Sequence, residues 1–290
     1  MNYQKFIISD PSARLRAAAM DGLRDRIGGA MLVGFVYLVA LNLPANIISY
    51  MTGLMASDAS KSFAVSFIRG DLSPEAYTQL TLKPLAILGV YQLLVTGALS
   101  LGAATCYLRY RRRQQCGVDV VFMGFNHFGR ATLLFLFESI FVFLWSLLFV
   151  IPGIVAVYRY KFAYMILADN PKISPLEAIR ISKHLTYGNK SKLFWLDLSF
   201  IGWNILASLA ATIIGGIASN IISSLGSGQS VDVAVGAFYC IITSLCTGLV
   251  TVYTGTAEAV LYERAGGLIR VEGDRLGSYG PYRGPDPGPR

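Results

Sequence analysis

Long apolar runs alternate with short polar stretches along this chain. The first clear run extends from Gly28 to Ala56 and begins GGAMLVGFVYLVALNLP. Others occupy residues 82–108, 131–151, 154–168, 193–224 and 231–262. Most exceed the roughly 20 residues that cross a bilayer core. The first is too long for the apolar part of a signal peptide, and no small-x-small cleavage site follows it, so it reads as an anchor that stays. In lipid every backbone amide needs a partner within its own segment, which makes these runs helices. The predicted fold class is all-α: a polytopic transmembrane helical bundle of about six spans, arranged as three antiparallel hairpins, with cytoplasmic amphipathic helices. The spans fall near 28–56, 83–108, 131–151, 153–168, 193–224 and 231–262, with Pro152-Gly153 as a tight outer turn. The fourth span is short and carries Arg159 and Lys161, so a re-entrant segment is the alternative.

Composition agrees with that pattern. Hydrophobic residues make up 54% of the 290 and charged residues 14%, with a mean hydropathy of +0.52. Too little polar surface is available to cover a soluble core of this size. The net charge of +8 alone would admit nucleic acid as a partner. Its distribution argues otherwise. Twenty of the 25 lysines and arginines lie in segments 1–28, 109–130, 169–192 and 263–290. Basic loops stay on the cytoplasmic side, so both termini are expected inside, in a bacterial cytoplasmic membrane, with no nucleic acid bound.

Between the spans, Asp10-Pro11 signals a helix start, with Asp as N-cap. Residues 1–27 then read as a cytoplasmic amphipathic helix whose Arg14, Arg16, Arg24 and Arg26 suit anionic headgroups. Ser174-Pro175-Leu176-Glu177 combines an N-cap, a proline at the first position and a capping box. It opens a cytoplasmic helix over 174–187, stopped by Gly188. That helix is apolar on two sides, so it is expected either to be clamped between the bundle and a protein partner or to be partly buried against loops. Ser73-Pro74-Glu75 marks a short helix in the outer loop. Residues 265–290, rich in Gly and Pro, read as a disordered tail.

Small residues recur every four positions in the last two spans: Ala207, Ala211, Gly215, Ser219 and Ser223, then Gly236, Cys240, Ser244 and Gly248, with Gly255 and Ala259 beside them. That spacing holds one helix face and permits close backbone approach in a membrane. The two spans are therefore predicted to pack together. Ionisable residues at membrane depth are functional candidates: Glu138, Arg159, Lys161, Asp197 and Glu258. Counting about 1.5 Å per residue from Pro152-Gly153 places Glu138 about 21 Å and Lys161 about 13 Å below the turn. A snorkelling lysine could close that gap to form a pair. Asn42 and Asn46 flank Pro44, which predicts either a packed kink or a polar break of the kind transporters use.

No hydrolase elbow, phosphate-binding loop or dinucleotide fingerprint occurs, so no catalytic residue, cofactor or metal is expected. The four cysteines show no metal or redox spacing and read as small buried apolar residues. Taken together, the strings IPGIVAVYRYKFAYMILADNP (151–171), SPLEAIRIS (174–182) and LFWLDLSFIGW (193–203) resemble an uncharacterised bacterial integral-membrane family, the domain of unknown function nine-seven-five. ARLRAAAMDGL (13–23), FMGFNHFGR (122–130) and AVLYER (259–264) are similar to it as well. A looser likeness links the chain to the membrane domain of glycerophosphodiester phosphodiesterases, whose catalytic barrel is absent here. The resemblance implies a multi-spanning fold and supplies no active-site residues. The expected function is a non-enzymatic scaffold, partner-binding or lipid-organising bundle. The alternative is a small transporter or permease component with a polar site near Asn42/Asn46 and Glu138/Lys161.

Overall fold

A computed structural model describes residues 8–51, 83–224 and 229–273. These are almost wholly helical, and no strand occurs among them. In chain order the helices are α1 (Ser12–Leu23), α2 (Ile27–Met51), α3 (Lys83–Arg111), α4 (Asp119–Phe122), α5 (Phe128–Leu148), α6 (Val150–Tyr160), α7 (Ala163–Asp169), α8 (Pro175–Leu185), α9 (Lys190–Ser224) and α10 (Gln229–Gly273). Short 3₁₀ turns, Arg24–Arg26 and Met123–His127, lead into α2 and α5. Among the described residues, six stretches are long and apolar enough to cross a membrane, with α6 and α7 together forming the fourth. Bulky apolar side chains such as Phe143, Ile151 and Ile205 stand exposed, Ile151 by 75%. Such a surface requires lipid around it. The chain is thus a multi-pass membrane protein. The expected helix at Ser73 lies outside the described residues, as does the tail beyond Gly273. α10 itself continues past Gly266 to Gly273.

The chain divides into two compact units. One draws on 1–30, 97–201 and 252–290, the other on 31–96 and 202–251. In the first, the apolar side expected from Leu15, Ala19, Leu23 and Ile27 is buried over α1, where the first three are at most 1% exposed, whereas Ile27, at the start of α2, is 43% exposed. Asp10 is not the cap of that helix. Pro11 holds the N-cap position in extended backbone without a side-chain cap, and Asp10 turns instead to Arg14 and Arg264. α3 lies close against the segment that follows it, because a Cβ on Gly97 would meet the Ala131 carbonyl at 2.5 Å.

The turn between the third and fourth spans is also not where Pro152-Gly153 suggested. Phe149, fully extended at φ −162° and ψ 155°, breaks the helix. Pro152 falls in the first turn of α6, where no intrahelical donor is needed. Gly153 leaves room for Ser146, whose hydroxyl a Cβ would overlap and whose Cα it would meet at 3.0 Å.

A second break, at Lys161–Phe162, separates α6 from α7. A break at membrane depth frees backbone groups that lipid cannot satisfy. α8 supplies the partners. Ser182 Oγ donates to the Arg159 carbonyl at 2.9 Å and accepts from the Phe162 amide at 3.2 Å. Thr186 Oγ1 donates to the same carbonyl at 3.3 Å. Both residues are wholly buried. α8 begins as predicted, with the Ser174 hydroxyl accepting from the Glu177 amide at 3.2 Å, and the chain leaves it through Gly188 at φ +84°.

In the second unit, Pro44 does not interrupt α2. The proline has no N–H for the Ala40 carbonyl, and the Tyr91 hydroxyl of α3 donates to that oxygen at 2.9 Å. Asn42 and Asn46 each donate to the carbonyl four residues back, at 2.9 Å. The stretch is therefore a packed helix rather than an open break.

Candidate functional site

Four of the five ionisable residues that sequence placed at membrane depth, Glu138, Lys161, Asp197 and Glu258, come together in the first unit. Lys161 sits at the break between α6 and α7. Its Nζ lies 3.0 Å from Glu258 Oε1 of α10 and 3.3 Å from Asp197 Oδ2 of α9. Glu258 is 8% exposed, so its charge is removed from water and needs this partner. The Oδ1 of Asp197 is buried with no hydrogen-bond partner. Asp197 and Glu258 are thus the partners of Lys161, a pairing that counting residues along single spans does not reveal.

Glu138 and Lys161 do share a site, though not as an ion pair. They face one cavity of about 320 Å³, together with Phe135, Ser139, Val157 and Tyr164. The relocated turn explains why. Glu138 stands eleven residues before Phe149 and Lys161 twelve after, so the antiparallel α5 and α6 carry them to one level. The ring of Phe141 meets that of Tyr160 at a tilt of 45°, with centroids 6.0 Å apart. Arg159 belongs elsewhere: its guanidinium lies 5.9 Å from the ring of Trp145. Three carboxylates and one ammonium thus line or adjoin the cavity.

The small-residue faces are used, but not all as predicted. On α9, Ala211 and Gly215 are buried, Ala207 and Ser219 are half-buried, and the ring of Tyr239 on α10 covers Gly215. On α10, Gly236, Ser244 and Gly248 are buried. The closest approach from that ladder is to α2, however: Gly248 lies against Gly34 and Phe35. Gly255, in the first unit, is covered by Tyr107 of α3. Two glycines facing across a pair let backbones meet without a side chain between them. Spacing along one helix identifies such a face without naming the helix it meets.

One charged cluster was missed. Arg112 forms a two-pronged pair with Asp169 at 2.7 and 2.8 Å and reaches Glu263 at 3.0 Å. Arg111 lies 3.2 Å from Glu263, and the Tyr262 hydroxyl donates to Asp169 at 3.1 Å. Hydrogen bonds to Asp169, above all, raise the Arg112 pKa and keep it charged. The sequence signal was the Arg111–Arg113 run beside AVLYER, read there only as topology and likeness. A separate groove of about 660 Å³ opens where α1 and α9 begin. Ser12, Ser191, Lys192, Trp195 and Ser199 line it.

Among the described residues, no three His, Cys, Asp or Glu side chains gather as metal ligands. Residues 147–266 match the family model described as "Protein of unknown function (DUF975)". That match bears out the resemblance over the central block and the last span. No curated protein and no solved structure matches the chain.

Proposed function

We propose that this multi-pass membrane protein is a non-enzymatic bundle that organises lipid, with an anionic headgroup held in the groove between α1 and α9. The observation that carries this reading is the lining of that groove. Lys192 donates to the Asp10 carbonyl at 3.3 Å and retains two further donors for phosphate oxygens. Ser12, Ser191 and Ser199 line the same groove, and Trp195, 59% exposed, offers the indole typical of a membrane interface. The basic loops support a reading in which this end of the chain, with both termini, faces the cytoplasmic side of a bacterial plasma membrane, where anionic lipid supplies the negative surface. On the same side, Leu176 of α8 and Tyr187 just beyond its end are exposed, and a protein partner would meet the helix there. Lipids retained by full-length protein purified in mild detergent, quantified by mass spectrometry, test the reading. Lys192→Glu is expected to lower retained anionic lipid about fivefold. Equal retention by the variant would overturn it.

A second reading, a small transporter, is favoured by one observation: Glu138 faces a cavity at a broken helix, beside a lysine already engaged by two other carboxylates. In proteoliposomes loaded with a panel of small cations, Glu138→Gln should abolish any substrate-dependent flux shown by the wild type. Absence of flux in the wild type would remove this reading.

A further inference from the structure

Cys106 and Cys116 carry no motif, being ten residues apart on either side of an arginine-rich stretch. The fold nevertheless brings them together. Cys106 is fully buried near the end of α3. The loop that follows α3 turns back at Arg113, at φ 55°, and is held by a hydrogen bond from Arg26 to the Gln114 carbonyl at 3.2 Å and from the Tyr110 hydroxyl to the Cys116 carbonyl at 3.4 Å. These contacts set Cys116 Sγ 2.7 Å from Cys106 Sγ. A disulfide requires about 2.05 Å between sulfurs, so only a small movement separates the pair from a bond. Cys116 is half-buried and reachable from solvent, whereas Cys106 is not.

We propose that Cys106 and Cys116 are a thiol pair that closes to a disulfide by exchange with a small-molecule disulfide. The groups facing the pair are Arg109, Tyr110 and Asp119 on its own segment and Arg26 from the turn before α2. The hydrogen bond between the two sulfurs, above all, lowers the Cys116 pKa, and the positive charge of Arg109 lowers it further. Cys116 is therefore the attacking thiolate. It displaces one thiolate from the small disulfide and becomes a mixed disulfide. Cys106 then gives up its proton and attacks the Cys116 sulfur, releasing the second thiolate. Two protein thiols are oxidised and one small disulfide is reduced to two thiols. On the cytoplasmic side proposed above, the pair rests reduced and closes only under oxidising load. Closure would pin the loop that carries Arg112 and its contacts with Asp169 and Glu263.

Oxidised glutathione added to the full-length protein in detergent, followed by alkylation and tryptic mass spectrometry, tests the assignment. The wild type is expected to lose two of its four free thiols and to yield one linked peptide joining Cys106 to Cys116. Cys106→Ser should accumulate glutathione on Cys116, and Cys116→Ser should leave Cys106 unmodified. Cys246→Ser should behave as the wild type, which separates pair chemistry from general thiol exposure. Wild-type protein that carries glutathione on Cys116 without forming the linked peptide would overturn the proposal. So would linkage of either cysteine to Cys240 or Cys246 at equal yield.

Discussion

Replacing Lys161 with Met should cost the protein about 3–5 kcal/mol of stability, the range for removing one partner of a buried ion pair. The reason is what remains behind. Asp197 and Glu258 lose the ammonium that both now touch, and Glu258 has almost no access to water. Two carboxylates would then face each other at membrane depth, where each uncompensated charge costs several kcal/mol. Glu258→Gln alone should be milder, because Asp197 still pairs with the lysine. Adding Glu258→Gln to Lys161→Met should restore part of the loss, since it removes one stranded charge. Thermal unfolding of the detergent-solubilised variants measures this order. A Tm for Lys161→Met equal to that of the wild type would show that the cluster is hydrated and that its pairing adds nothing.

Gly248→Val should be comparably damaging, for a steric reason. A Cβ at Gly248 would stand 2.7 Å from the Phe35 amide nitrogen, and Gly34 already lies against the Gly248 carbonyl. Because the obstacle is backbone, no rotamer change relieves it, and α2 and α10 must separate. Overpacking of this kind costs about 1–3 kcal/mol or more. Lipid supplies no hydrophobic drive to press the two helices back together. Gly216→Ala is the control: no atom lies within 4 Å of its added methyl, and alanine favours helix by about 0.8–1.0 kcal/mol. That variant should unfold at the wild-type temperature or above it. If Gly216→Ala and Gly248→Val shift Tm equally, the close approach of α2 to α10 contributes nothing to stability.

Much of the fold was legible because lipid imposes one rule on every spanning segment, namely that it be long, apolar and helical. The six runs could be read from composition along the chain. So could the N-cap at Ser174, the stop at Gly188 and the buried stripe of α1, since each depends on residues within one turn or two. The break at Phe149 was not legible. Phenylalanine carries no turn signal, and Pro152 suits the first turn of a helix as well as it suits a corner. That shift of a few residues decided whether Glu138 and Lys161 could share a level.

Partners across the bundle were hidden for a related reason. The depth of Lys161 follows from counting, but the choice of Asp197 and Glu258 depends on which helices surround the break. The Tyr91 hydroxyl over the Ala40 carbonyl, Ser182 and Thr186 at the freed backbone of Arg159, and Cys116 folded back onto Cys106 are all of this kind. Each answers a local defect, whether a missing donor, a broken turn or a reversed loop, with a group the chain delivers from another element. Amino-acid order settles what each segment must be in a solvent that cannot hydrogen-bond. The identity of the groups that satisfy one another emerges only when close packing brings distant segments within hydrogen-bond reach.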